Sequence, residues 1–455
     1  MSLPETELSS IPMTRQLADQ ALGFGTPDVP DDVREIGRHC LLDWFSVGLA
    51  AWDSPPMQAL RAWIALEPSP GPCNLLGSPQ RVSASQAALV NGTAGHMLDF
   101  DDAHLPSRVH PSAPLWPAIL ALAQARRLSG AEALAAFAAG VQVQSRLGVV
   151  MGNSHYREGW HNTATLGTFG ATAAAARLLG MNEEALCRAF GFAATLTGGL
   201  RSVFGSPAKP LHAGRAAANG LMAAGLVDQG MQTFDDLLER PRGFVQVYAR
   251  DFDPSRIQPE AGSWEARRIV FKYHASCYGT QAPIEAALAL RDRVARAGCR
   301  RVDVHVEPQY MSVCNIARPT SVSEAKFSIA HMVALALAGR DTSNEENLSG
   351  SALVDPDVVA WRDRVHVHGD AEVPRANARV TLDDGKDRVT HTHDASQPQA
   401  DLKQQRRRLL DKSSALLRPR YGERAVARMQ ERLLDIAQQP SLTDWLHDTV
   451  LELDR

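Results

Sequence analysis

The sequence predicts a mainly α-helical protein: a large all-helical domain formed by both chain ends, plus a smaller α+β domain between them. Three observations carry this. Apolar residues recur at helical spacing through the first 265 or so positions. Period-two alternation then takes over at Arg301–Val306 and Val365–His368, and again in ARVTL and RVTHTH flanking Asp383-Asp384-Gly385, the pattern of a hairpin. After the polar stretch Ala395–Gln399 the helical pattern returns. The boundaries fall at 1–267 (helical), 268–398 (α+β) and 399–455 (helices that rejoin the first domain).

Taken in order, residues 12–50 read as two helices separated by Gly23-Phe24-Gly25-Thr26-Pro27. The second carries Val33, Ile36, Cys40, Leu41, Trp44 and Phe45 on one face. Leu60–Leu66 is a further helix, and another runs from about Ser83 into the loop that follows. Trp116–Arg126 is helical, and Ser129 with Glu132 forms a capping box for the helix after it. Thr168–Leu179 and His212–Gln229 are rich in alanine and glycine, which lets helices approach closely, and Asn182 caps the helix between them. In the α+β part, helices are expected at Gln281–Ala297 and Ser323–Leu337. The last helices fall at 402–417, 424–438 and 441–453, the last with Ser441 as cap.

Composition narrows the function classes. With 47 Lys+Arg against 51 Asp+Glu among 455 residues, the chain has no basic footprint for nucleic acid. No 18-residue apolar run free of charge suggests a membrane span, and the N-terminus lacks the pattern of a secretory signal. Six scattered cysteines without C-x-x-C spacing are read as reduced thiols of a cytoplasmic protein.

The densest chemistry lies in Asn91–Pro114, NGTAGHMLDFDDAHLPSRVHPSAP. Asp99, Asp101 and Asp102 repel one another unless they part onto different faces or take up a proton or cation. Asp99, framed by Met97, Leu98 and Phe100, is the member singled out; an Asp cluster capping helices is the plain alternative. With His96 and His104 these carboxylates could also ligate a divalent metal, although H-x-x-D-x-D-D-x-H matches no zinc or iron spacing. His110, held extended by Pro111, can be a base, a cation for a carboxylate, or a satisfied polar group. His161, in Gly159-Trp160-His161, precedes a helix and adds to its positive end, or merely caps it. Lys209 and His212 bring two cationic donors to another helix start with no acidic residue nearby, so an anion is the missing partner, with Arg201 assisting. Lys272 opens the segment FKYHASCYGT, where Cys277 follows His274 without a nucleophile motif around it.

These stretches together resemble the MmgE/PrpD family: NGTAGHMLDFDDAH with VHPS, GWHNTATLGTFGATAAAARLLG, SPAKPLHAGRAAANGLMAA, FKYHASCYGTQAPIEAAL and SVSEAKFSIAHMVALAL stand in the family's order. The family includes 2-methylcitrate dehydratases, cis-aconitate decarboxylases and iminodisuccinate epimerases. The resemblance implies a helical domain with an α+β lid, a homodimer, and no metal or organic cofactor. It implies a small polycarboxylate as substrate, with Asp99, His110, His161, Lys209 and Lys272 catalytic; Arg201, His104, His212 and Cys277 are read beside them as contacts to substrate. In this reading Lys209, Lys272 and His161 supply positive charge, His110 is the base or acid, and Asp99 orients it. A cofactor-free, dehydratase-like lyase on a hydroxy di- or tricarboxylic acid is the leading function. Epimerisation, decarboxylation and non-catalytic binding are the alternatives. Ala103 stands where many members have Thr, Cys277 where the decarboxylases have a histidine, and Val313-Cys314-Asn315 where they have a tyrosine.

Overall fold

The structure, a computed structural model, describes residues 11–260, 262–294, 298–348 and 350–453. The N-terminal end read for a signal, residues 1–10, and the tail of the expected 281–297 helix, residues 295–297, lie outside the described residues. The chain forms two compact units, Met1–Ile269 with Asp401–Arg455, and Val270–Ala400.

The first unit is built of helices packed through small residues. Met13–Leu22, Gly130–Met151, Asn162–Leu178 and Glu183–Leu196 enclose a core of Leu17, Val143, Leu147, Leu166, Phe169, Leu186 and Phe190. Gly130–Met151 is long and apolar enough to cross a membrane by length and composition, but 94% of its most apolar window is covered by protein, so it is a core helix. Ser129 and Glu132 cap it reciprocally, and the Asn182 side chain accepts from Ala185 N–H at the next helix start.

The helices Ala84–His96 and Ala208–Asp228 pack backbone against backbone. A Cβ placed on Gly92 would stand 2.8 Å from the Gly214 Cα and 3.2 Å from the Ala113 oxygen of the helix Ser112–Arg126. Three helices therefore meet where only hydrogen fits. Beyond them the C-terminal helix Leu402–Tyr421 lies against Asp31–Ala51, tied by Ser413 to Ser46 (2.8 Å) and by Gln405 to His39 (2.9 Å).

The second unit holds a four-stranded sheet in the order 365–369, 301–306, 377–383, 388–394, with the first pair parallel and the others antiparallel. Val302, Val304 and Val306 are buried while Asp303 and His305 face the other way, as the alternation requires. The hairpin turns through Asp384–Asp387, and the helix Tyr278–Val294 precedes the sheet.

Several elements depart from the sequence reading. Leu76-Gly77 is the tip of a short hairpin, Cys73–Leu75 with Ser78–Val82, for which the sequence reading named no element. The expected Ser323–Leu337 helix is two pieces, Val322–Ala325 and Ile329–Leu337, because Ser328 caps the second through His331 N–H and donates to the Ile316 oxygen. Ser441 binds Thr443 instead of starting a helix, and the last helix is Trp445–Leu453. The helix expected from His212 begins at Ala208, with Pro210 in its first turn, where no N–H is needed. Lys209 and His212 are thus on the helix, and Lys209 is in its first turn.

Two outcomes follow. Gly214→Ala should lower unfolding stability by about 1–3 kcal/mol in a denaturant titration, because the added methyl overpacks backbone against backbone. His155 is buried between Tyr248 O (2.8 Å) and Thr165 Oγ1 (2.7 Å), and burial lowers its pKa from 6.5 to about 4. Between pH 4 and 6.5 the unfolded chain therefore binds more protons at this site than the folded one. The share of stability it governs, about 3 kcal/mol at most, is present above pH 6.5 and lost as pH falls to 4. His155→Gln should make the fall in melting temperature over that range shallower.

Candidate active site

The helix Ala84–His96 delivers His96 at its last turn, and the chain then reverses through Met97–Asp102. The reversal needs a left-handed residue, and Asp99 supplies it with φ 51°. His104 and Val109 pair across the next loop, and His110 follows immediately before the helix Ser112–Arg126. Its main-chain N–H donates to Thr163 Oγ1 (3.1 Å), which anchors the loop to the helix Asn162–Leu178.

The three carboxylates part onto three different partners. Asp102 is buried and accepts from Ser112 N–H (3.1 Å) and Ser112 Oγ (2.6 Å), so it caps the next helix. Burial, together with Asp101 and Asp43, pushes its pKa to about 7 against those donors. Asp101 is fully buried between two histidines, with Oδ2 2.8 Å from His96 Nδ1 and 3.4 Å from His110 Nδ1. Burial acts to raise its pKa, yet His96 and His110 hold it well below the usual carboxylate range. Asp99, partly exposed, pairs with Lys209: Nζ lies 2.7 Å from Oδ1, and His110 Nε2 is 4.0 Å from the same oxygen. The anion missing from the sequence around Lys209 is thus Asp99, brought from 110 residues upstream.

A second wall is aromatic. His161 stacks on His96 (centroids 5.9 Å apart, planes 16° apart), meets His212 through Nδ1 atoms 3.2 Å apart, and takes the edge of Phe204 at 5.0 Å. Phe204 also lies 5.3 Å from Lys209 Nζ. Burial lowers the pKa of His96 to about 4 and that of His161 well below its ordinary value; His212 is lowered for the same reason. All three are neutral at pH 7. Between the facing nitrogens of His161 and His212, one ring must donate and the other accept.

This geometry corrects the sequence reading in several places. His161 supplies no positive charge, because burial keeps it neutral. The carboxylate nearest the His110 ring is Asp101, at 3.4 Å against 4.0 Å for Asp99, and Asp99 is the partner of Lys209. His104 is fully buried with Nδ1 on Ser107 Oγ (2.7 Å) and Nε2 on Glu265 (2.9 Å), where Arg146 also binds. It offers no nitrogen to a ligand. Arg201 is held on the Tyr156 carbonyl (2.7 Å) and over its ring (3.5 Å), and its guanidinium lies 5.8 Å from the Phe204 ring. Lys272 and Cys277 belong, as the sequence reading placed them, to the second unit: Lys272 is buried, and Cys277 is half-buried beside Cys314, whose thiol is pushed up by Cys277 and by burial.

His96, weighed in the sequence only as a metal ligand, and Asp101, weighed there as one of three repelling carboxylates or a metal ligand, stand together in the cluster, and Phe204 was not foreseen. A His–Asp spacing of five residues has no periodicity that would announce the contact. His96, Asp99, Asp101 and His110 present donor atoms all within 4.8 Å of one another, a set able to hold a divalent ion. Lys209 already occupies the Asp99 end, so such an ion would have to displace an ammonium.

The sequence matches the MmgE/PrpD N-terminal domain over residues 15–257 and the MmgE/PrpD C-terminal domain over residues 274–436. It is 26% identical over 351 residues to cis-aconitate decarboxylase of Aspergillus terreus, covering 71% of each chain. It is 27% identical over 324 residues to the human cis-aconitate decarboxylase, covering 69% of this chain and 67% of that one. Cis-aconitate decarboxylase-like protein oryM of Aspergillus oryzae is 30% identical over 292 residues, 60% of each chain.

Backbone and charge at Asp99 can be separated. Asp99→Asn tolerates the left-handed turn and should change stability little, whereas Asp99→Val should cost about 1–3 kcal/mol in chemical denaturation. Equal losses in the two variants would show that the Lys209 ion pair, not the turn, dominates.

Proposed function

Because the chain belongs to the MmgE/PrpD family, we propose that it is a lyase acting beside a carboxylate of a small hydroxy di- or tricarboxylic acid, most simply a dehydratase. The observation that carries this reading is the joining of Lys209, Asp99, His110 and Asp101 in one chain of contacts. The base that takes a carbon-bound proton is His110, its Nδ1 turned to Asp101 and its Nε2 left to face substrate. Lys209 exchanges Asp99 for a substrate carboxylate and stabilises the charge that builds on it as the C–H bond breaks. The imidazolium so formed gives its proton to the departing hydroxyl, so the products are an alkene and water and His110 is neutral again. Asp101, ionised throughout, holds the ring and stabilises its charged form. His161 and His212 are polar, uncharged walls that accept or donate hydrogen bonds without adding charge.

Decarboxylation is the second reading, favoured by the names of the relatives, which are cis-aconitate decarboxylases. Cys277 and Val313–Asn315, at the positions where decarboxylases resembling this family carry a histidine and a tyrosine, weigh against it. The reading includes a homodimer in the cytoplasm, a compartment that suits six free thiols.

The test is proton NMR in heavy water with methylcitrate, citrate, cis-aconitate and iminodisuccinate. A new alkene signal without carbon dioxide release supports dehydration; release of carbon dioxide supports the second reading. Deuterium exchange with no net product would replace both with an epimerase. His110→Gln and Lys209→Met should each lower turnover by about 100-fold or more while circular dichroism stays that of the folded protein.

A further inference from the structure

Directly behind the Asp99–Asp102 turn lies a cation that the mechanism does not use. Lys412, on the C-terminal helix Leu402–Tyr421, is 2% exposed. Its Nζ is 2.5 Å from Asp43 Oδ1, 2.5 Å from the main-chain oxygen of Phe100, and 3.8 Å from the centroid of the Phe100 ring. Burying an ammonium is costly unless it is both paired and hydrogen-bonded, and here it is both. Asp43 alone would satisfy the charge. The second bond, to a peptide oxygen more than 300 residues away in sequence, has a consequence for the turn.

Phe100 is the residue between Asp99 and Asp101, and its ring is buried as well. On one side of it the chain is left-handed at Asp99, which points to Lys209. On the other, Asp101 enters between His96 and His110. The Phe100 carbonyl belongs to the peptide that leads into Asp101, so holding it fixes the backbone at Asp101 directly and, through the buried Phe100, the exit from the left-handed residue Asp99. Loss of that anchor would let the turn relax, Asp101 first and Asp99 with it.

We propose that Lys412 is a positioning residue for the candidate active site: through the Phe100 carbonyl it sets the turn that sends Asp99 to Lys209 and Asp101 to the two histidines. The proposal rests on the reading of that cluster as a lyase centre. Its rival is that Lys412 merely neutralises buried Asp43.

The experiment compares Lys412→Met with the double variant Asp43→Asn/Lys412→Met, which removes the buried Lys412–Asp43 pair as a unit and whose fold is checked by circular dichroism. Turnover of the acid found above is measured together with nitrogen-15 spectra of the His96 and His110 rings. In both variants kcat should fall by about 100-fold with KM little changed, as misplacement of a catalytic group predicts, and both ring signals should move. Recovery of wild-type kcat and ring signals in the double variant would overturn the proposal in favour of charge neutralisation. Wild-type values in Lys412→Met would overturn it outright. Should the wild type turn over none of the acids, the lyase reading falls, and the ring signals alone decide whether Lys412 sets the turn.

Discussion

The contact at Gly92 and Gly214 is the constraint on which the candidate site depends. Lys209 and His212 ride on one of the two helices joined there, and His96 ends the other. An ammonium reaches Asp99 at 2.7 Å only because the two backbones touch. A side chain at either glycine would push the helices apart by more than a hydrogen bond can stretch. The alanine- and glycine-rich composition of these helices is therefore a condition for the chemistry as well as for packing.

Within that frame, electrostatics divides the work among the carboxylates. Asp102 serves a helix start, Asp101 serves two histidines, and Asp99 serves a lysine. Neutral histidines fill the remaining wall because burial costs a charged imidazole more than its neighbours return. The cluster therefore has little net positive charge, and an acidic ligand must compete with Asp99 for Lys209. That competition gives a reason for Asp99 to be partly exposed while Asp101 and Asp102 are fully buried.

The C-terminal helices add a second layer. Leu402–Tyr421 brings Ser413, Gln405 and Lys412 to the helix Asp31–Ala51, and Lys412 goes on to the turn itself. A segment some 300 residues from the Asp-rich loop in sequence thus lies directly behind it.

The sequence by itself determined the helical class, the strands with Val302, Val304 and Val306 on one face, the caps at Ser129 and Asn182, and the importance of the stretch around Asp99 and His110. These are local: periodicity, capping and clustering act over a few residues, and a single chain displays them directly. Only the tertiary structure decided which carboxylate serves which partner. It paired Asp101 with His96 and His110, gave Asp99 to Lys209, buried His104 against Glu265, and kept His161 neutral. Each of these follows from burial and from contacts between residues far apart in sequence, and no spacing along the chain encodes either.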